Sequence, residues 1–132
     1  MDKKEIKKEL KDFFSHEKDV KVVYLFGSTA RDEHDRMSDV DVAVLGEDKI
    51  PLMELAGFSE HLKENIGRDV DVVDLRDKGY RFIQNVLKDS EVVLNRDEDL
   101  RIDFEAYTLQ RYLDMKPLYR RFDRALKERY EG

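Results

Sequence analysis

The chain has 132 residues, close to the usual size of one domain, and it contains no cysteine. Disulfides, thiolate nucleophiles and cysteine-ligated metals are therefore excluded, so any metal must be held by oxygen or histidine. The net charge of −6 argues against a surface built to bind duplex nucleic acid. Because no apolar run approaches the length of a bilayer span and no secretion signal is recognisable, we expect a cytoplasmic protein with no membrane association.

Helical and strand patterns alternate along the chain. The predicted elements are a helix at 2–15, strands at 20–26 and 39–45, a helix at 52–66, a strand at 69–75, a short helix around 82–87, a strand at 91–95 and a helical tail from 97. Pro117 should bend or split the tail helix. This order predicts an α+β (mixed α/β) fold with a sheet of about four strands flanked by helices. We expect one domain over 1–132, with its core at about 20–95 and a helical segment at about 97–130.

The chemistry is concentrated in LFGSTARDEHDRMSDVDVAVL, residues 25–45. Asp39 and Asp41 are two residues apart in a predicted strand, so their side chains share one face. Two ionised carboxylates on that face repel each other unless a cation lies between them, and Mg²⁺ prefers such oxygen ligands, together with phosphates and water. Gly27 and Ser28 offer a backbone that a phosphate can approach closely, a hydroxyl, and the N–H groups of a short helix that begins at Ser28. The pattern predicts a site for a nucleotide and its metal.

Other features of this stretch carry less information. Asp-x-Asp occurs three times in the chain, so the motif alone is weak. Arg31 is one turn past Ser28 and is placed either to contact a phosphate or to remain solvated. His34, in the loop, is interpreted as solvated rather than nucleotide-binding. The Asp-x-Asp-x-Val start also matches haloacid-dehalogenase-like phosphatases, but in those enzymes the apolar strand precedes the aspartates, whereas here VAVL follows them, so this alternative is set aside.

The combined order of motifs resembles a known family. A strand, Gly27-Ser28, ten intervening residues, Asp39-x-Asp41 and a second strand are similar to the nucleotidyltransferase superfamily of DNA polymerase β, and above all to its smallest members, the minimal nucleotidyltransferases. Residues 20–95 fit the family core in order. The Ala30-Arg31 and Ser38-Asp39 pairs match residues that are typical of the family at these positions. Asp32 departs from the glycine that many relatives carry, which affects the expected loop conformation.

The resemblance implies an activity and a set of site residues. It implies Mg²⁺-dependent transfer of a nucleoside monophosphate from a triphosphate, ATP, to a hydroxyl. Asp39, Asp41 and Asp71 would bind two Mg²⁺ ions, and Gly27, Ser28 and Arg31 would contact the phosphates. Asp74 is the second candidate for the third carboxylate. Asp69 and Asp74 are otherwise interpreted as residues that cap the ends of their strand.

The resemblance also implies a partner. Minimal nucleotidyltransferases are generally encoded beside HEPN-type ribonuclease toxins and act as antitoxins, some of them by adenylylating a tyrosine of the toxin. A non-catalytic antitoxin that neutralises its partner by occlusion is the alternative. Transfer to a small molecule is disfavoured because little mass beyond the core is available to build a pocket. The basic, aromatic tail from residue 116 is expected to cover the sheet with its apolar stripe, or else to dock a partner or nucleic acid.

Overall fold

The computed structural model describes residues 1–31 and 39–131. Asp32, His34 and Ser38, discussed above, lie outside the described residues. The elements in chain order are α1 (Lys3–Phe14), β1 (Val22–Phe26), α2 (Gly27–Ala30), β2 (Val40–Leu45), α3 (Leu52–Ile66), β3 (Val70–Asp74), a 3₁₀ helix (Leu75–Asp77), α4 (Tyr80–Lys88), β4 (Glu91–Asn95) and α5 (Glu98–Glu131). Within the described ranges, none of the helices combines the length and apolar character needed to cross a bilayer.

The four strands form one mixed sheet in the order β3-β2-β1-β4. β1 pairs antiparallel with β2 and with β4, and β2 pairs parallel with β3. The end of β1 therefore lies at the same edge of the sheet as the starts of β2 and β3. This edge is where Gly27 follows one strand and the predicted aspartates enter the next two.

Each face of the sheet is covered by helices, so the central strands are apolar on both faces. One core lies under α1 and α3 and includes Val23, Leu25, Val42, Val44 and Val72 from the sheet. The other lies under α4 and the first part of α5 and includes Val22, Tyr24, Ala43, Leu45 and Val73. Side chains of alternate residues enter opposite cores, and the odd-numbered residues of β2 and β3 therefore face α4 and α5.

The predicted fold class is confirmed, and two element boundaries coincide with the predicted ones. α3 covers Leu52–Ile66 because Pro51 occupies the N-cap and Gly67, with φ of +80°, ends the helix in the left-handed conformation. β4 covers Glu91–Asn95, as predicted. The short helix after β1 begins at Gly27, one residue before the predicted start at Ser28.

Pro117 was predicted to bend or split the tail helix, and the split does not occur. α5 runs without interruption from Glu98 to Glu131 with Pro117 inside it. Proline removes one backbone N–H from the helix and leaves the carbonyl of Leu113, four residues earlier, without its usual partner. Leu113 and Pro117 are both exposed, so water can satisfy that carbonyl.

The expectation that the apolar stripe of the tail from residue 116 covers the sheet is wrong. An earlier part of α5 contacts the core, because Leu100 and Phe104 pack beneath α4 and Thr108 is 2% exposed. From residue 120 to residue 131 every described residue is exposed. The helix is longer than the domain surface against which it packs, and its spacing of apolar residues did not show where that surface ends.

Candidate active site

The candidate site forms where the end of β1 meets the starts of β2 and β3. Asp41 in β2 lies opposite Phe26, the last residue of β1, and beside Asp71 in β3. Because partners in register point their side chains to the same face, Asp41 and Asp71 are neighbours on the face covered by α4 and α5. Asp39 immediately precedes β2. The structure thus brings together the three carboxylates that the sequence singled out.

The three carboxylates interact electrostatically. Asp41 is half-buried, whereas Asp39 and Asp71 are exposed. Burial raises the pKa of the Asp41 carboxyl, the negative charges of Asp71 and Asp39 raise it further, and Arg31 lowers it. A cation among these carboxylates would offset both the burial and the repulsion.

Gly27 fits closely against Asp41. Its φ is +76°, a conformation that L side chains rarely adopt. A Cβ atom at this position would lie 2.3 Å from Oδ2 of Asp41 and 3.2 Å from its Cγ. Glycine is therefore required for two independent reasons, the backbone conformation and the space occupied by the carboxylate. The sequence predicted a glycine that allows a phosphate to approach, but not that the glycine also makes room for Asp41.

The remaining predicted nucleotide contacts lie on α2 and at its end. Ser28 is half-buried in the first turn of α2, and Arg31 forms the C-cap. Arg31 is exposed and close enough to Asp41 to lower the pKa of its carboxyl. Thr29 between them is fully buried, and its hydroxyl has no hydrogen-bond partner within the described part of the chain. Sequence reasoning did not single out Thr29, because a threonine beside Gly-Ser has no distinctive spacing.

Asp74 and Asp69 occupy structural positions. Asp74 is 1% exposed, and its side chain accepts hydrogen bonds from the backbone N–H of Ile50 at 2.8 Å and of Arg76 at 3.1 Å. It lies at the end of β3 away from Asp71, and it caps the following 3₁₀ helix. Asp69 forms an ion pair with Lys63 at 2.9 Å. Asp74 therefore has a capping role, which was the alternative interpretation of its position, whereas Asp69 pairs with a surface lysine.

The donor set at the site fits Mg²⁺. Among residues 1–31 and 39–131, no group of three or more His, Cys, Asp or Glu side chains is arranged to hold a metal ion on its own. Mg²⁺ does not require one, since it is usually bound by one or two carboxylates with phosphates and water as the other ligands. Asp41, Asp71 and Asp39 supply hard oxygen donors on one face, and their mutual repulsion favours a cation. The arrangement fits an ion that arrives with a nucleotide.

A polar cavity of about 310 Å³ lies at the other end of the sheet. It is lined by Lys18, Lys21, Asp48 and Lys49 among others, beside the end of β2 that is remote from Asp41. No predicted site residue lines it. The chemistry of the Gly27 and Asp41 edge, rather than cavity size, therefore identifies the candidate site.

A comparison with protein-family models shows the family of the chain. Residues 8–99, more than half of the chain, match the family described as polymerase beta nucleotidyltransferase. The chain belongs to this family. The matched segment contains all six predicted site residues, and the expected resemblance to nucleotidyltransferases is confirmed. A nucleotide substrate follows from membership of the polymerase β nucleotidyltransferase family.

Two relatives extend the comparison. The chain is 29% identical over 93 residues to the protein adenylyltransferase MntA of Shewanella oneidensis, which covers 70% of this chain and 66% of that protein, just under two thirds. It is 38% identical over 82 residues to a relative from Methanocaldococcus jannaschii named for the same activity, which covers 61% of this chain and 80% of the relative. The similarity is thus shared with proteins from two distinct organisms.

Solved structures share the fold over nearly the full chain. A toxin-antitoxin complex with AMP-PNP contains a chain that aligns with a TM-score of 0.81 and 22% identity, over 91% of this chain and 97% of that one. A complex of tri-AMPylated Shewanella oneidensis HEPN toxin with MNT antitoxin contains one that aligns with a TM-score of 0.78 and 20% identity, over 94% and 98%. At these identities the likeness establishes the fold.

Proposed function

We propose that this nucleotidyltransferase transfers AMP from ATP to a protein hydroxyl, a tyrosine of a cognate HEPN ribonuclease toxin, and thereby acts as its antitoxin. The observation that carries the proposal is the position of Asp41, which lies in contact distance of Gly27 and beside Asp71 on one sheet face. This is the arrangement that metal-assisted transfer of a nucleotide needs, because phosphate-binding backbone and metal-binding oxygens must be adjacent.

Each carboxylate would have its own role in the reaction. Asp39 and Asp41 would hold the two metal ions, and Asp71 would complete the ligand set on the acceptor side and receive the proton of the attacking hydroxyl. When bound, Mg²⁺ would neutralise charge on the phosphates and lower the pKa of the acceptor hydroxyl. The half-buried setting of Asp41 strengthens its interaction with a cation, because the local dielectric is lower than in bulk water.

The segment after β1 would bind the triphosphate. Gly27 has no side chain, so its backbone can approach a phosphate oxygen while leaving space for Asp41. The Ser28 hydroxyl is available to donate to the same group, and Arg31 carries a guanidinium at the end of α2. These residues would orient the triphosphate so that pyrophosphate leaves in line with the attacking hydroxyl.

The names of a relative and of a solved complex support this choice of acceptor. The relative from Shewanella oneidensis is named a protein adenylyltransferase, and a structure with the same fold is the antitoxin bound to an AMPylated HEPN toxin. Occlusion without catalysis is the second candidate, and the exposed second half of α5 favours it as a surface available to a partner.

A neutralisation assay distinguishes AMP transfer from occlusion. The toxin's ribonuclease activity is measured after incubation with this protein, with and without ATP and Mg²⁺. We expect inhibition that requires both and that is lost in the Asp39→Asn, Asp41→Asn double variant at equal concentration. Full inhibition by the double variant, or by the wild type without ATP, would instead establish occlusion.

A further inference from the structure

The second half of α5 leaves the domain with apolar side chains exposed. Leu118, Phe122, Leu126 and Tyr130 are 47%, 60%, 39% and 75% exposed. They recur every four residues, so they lie along one face of the helix. We call residues 118–131 the arm. At about 1.5 Å per residue the arm is roughly 20 Å long, enough to occupy a groove on another protein.

The arm is basic, whereas the rest of the chain is acidic. Residues 118–131 contain five of the 25 Lys and Arg residues and three of the 31 Asp and Glu residues. Their net charge is +2, which leaves −8 on the remainder of the chain. Two arms packed against each other would therefore bring like charges together, and a suitable partner surface has an apolar groove bordered by acidic residues.

The base of the arm is fixed at the edge of the sheet that carries the candidate site. The Phe82 ring on α4 packs edge-on against Phe26, the residue before Gly27, with ring centroids 6.3 Å apart. The adjacent Arg81 donates two hydrogen bonds to Asp123, at 3.1 and 2.7 Å, and its guanidinium lies 4.7 Å from the centroid of the Tyr119 ring. A protein bound to the arm would therefore be held beside Gly27 and the carboxylates.

We propose that the arm is the docking surface for the acceptor protein, whose tyrosine it places at the carboxylates. This inference rests on the proposed function for the identity of the acceptor, the HEPN toxin. The arm contributes binding and position but no reacting group. Loss of the arm contacts should therefore raise the KM for the acceptor and leave the binding of ATP unchanged.

The test compares two pairs of exposed apolar residues on the same helix. Phe122→Asp with Leu126→Asp alters the arm, and Leu109→Asp with Leu113→Asp is the matched control. Leu109 and Leu113 are 46% and 48% exposed, and helical geometry places them on the side opposite the arm's apolar face. All four residues are exposed, so both variants should retain the fold, which circular dichroism checks.

The readouts are the affinity for the cognate HEPN toxin without ATP, the KM for the toxin during AMP transfer, and the affinity for ATP. We expect the arm variant to bind the toxin at least about tenfold more weakly, with the control and all ATP affinities within about twofold of wild type. An arm variant that binds and modifies the toxin like the wild type overturns the inference. So does a change from dimer to monomer in the arm variant with unchanged toxin binding, which would make a second copy the occupant.

The two proposals fail in distinguishable ways. If the wild-type protein binds the toxin through the arm but adds no AMP, AMP transfer is excluded and docking stands. If the wild type adds AMP and the arm variant does so with an unchanged KM, docking is excluded and the activity stands.

Discussion

Gly27 and Asp41 are packed closely against each other. The positive φ of Gly27 and the 2.3 Å approach of its would-be Cβ to the Asp41 carboxylate have different consequences. A side chain at position 27 would be strained by the positive φ, which lowers the stability of the fold. The same side chain would displace the Asp41 carboxylate, which we assign to metal binding. A second glycine of the chain makes it possible to separate them.

Gly67 is that matched control, because its φ is +80° and a Cβ there would meet nothing within 4 Å. We expect Gly27→Ala and Gly67→Ala each to lower the free energy of unfolding by about 1–2 kcal/mol. Only Gly27→Ala should also lower kcat/KM for AMP transfer, by about a hundredfold, because the carboxylate is displaced. Thermal unfolding and steady-state rates measure the two effects. Equal activity of the two variants would contradict the assigned position of Asp41.

The raised pKa of Asp41 predicts a specific dependence of stability on pH. A carboxyl whose pKa is higher in the folded than in the unfolded protein stabilises the fold below its unfolded pKa, and this contribution is lost as the pH rises through the folded pKa. Without Mg²⁺ and nucleotide, Asp41→Asn should therefore be more stable than the wild type at neutral pH, because the burial and the repulsion by Asp71 and Asp39 are relieved.

Thermal unfolding of both proteins over a pH series measures this difference. The advantage of Asp41→Asn should shrink as the pH falls through the folded pKa of Asp41 and vanish below the unfolded value. The opposite result, a wild type that is more stable than Asp41→Asn at neutral pH without the cation, would contradict this prediction. It would show that other groups of the protein already stabilise the negative charge of Asp41.

β3 carries two carboxylates, to which we assign different roles. Asp71 points to the candidate site and is exposed, whereas Asp74 is buried and accepts two backbone hydrogen bonds. Asp71→Ala should lower AMP transfer by at least about a hundredfold with little loss of stability. Asp74→Ala should cost about 1–3 kcal/mol of stability, because it leaves the Ile50 N–H unpaired, and should retain the activity of the folded fraction. The rates of AMP transfer and the denaturant unfolding of both variants measure these effects. Loss of activity in Asp74→Ala with retained activity in Asp71→Ala would make Asp74 the third ligand.

Local sequence patterns predicted most of these elements. Pro51 and Gly67 bracket α3, and apolar β-branched runs mark the strands, because these signals act through the backbone of their own segment. Strand order depends on pairing between distant segments and was not predictable. The alternation rule placed Asp39 and Asp41 on one face, but their proximity to Asp71 follows from the β2 and β3 register. The close packing of Gly27 on Asp41 also required the three-dimensional structure.

The apolar spacing of the tail predicts a helix but not what its apolar face contacts. Apolar spacing predicted a helix from 97 onward, and α5 begins at Glu98. The spacing is the same whether the apolar face contacts the chain's own core, as Phe104 does, or remains available to another molecule, as Phe122 does. Pro117 was interpreted from its intrinsic effect alone, although in an exposed segment water can replace the hydrogen bond that it removes.

The whole molecule combines an acidic nucleotidyltransferase domain with a basic arm, whose residue Asp123 is bonded to Arg81 of α4. In our proposals the carboxylates would bind the cation, while the arm would offer a surface of opposite sign to a protein. Catalysis and docking are assigned to different residues, so each can be removed without the other.

The most direct measurement is the intact mass of the cognate HEPN toxin after incubation with this protein, ATP and Mg²⁺. The mass of the toxin should increase by one or more AMP groups, and peptide fragmentation should identify the modified residue as a tyrosine. No increase should occur with the Asp39→Asn, Asp41→Asn double variant or when Mg²⁺ is chelated. An unmodified toxin that the wild-type protein nevertheless neutralises, or an AMP adduct that the double variant forms equally well, would exclude AMP transfer by these carboxylates.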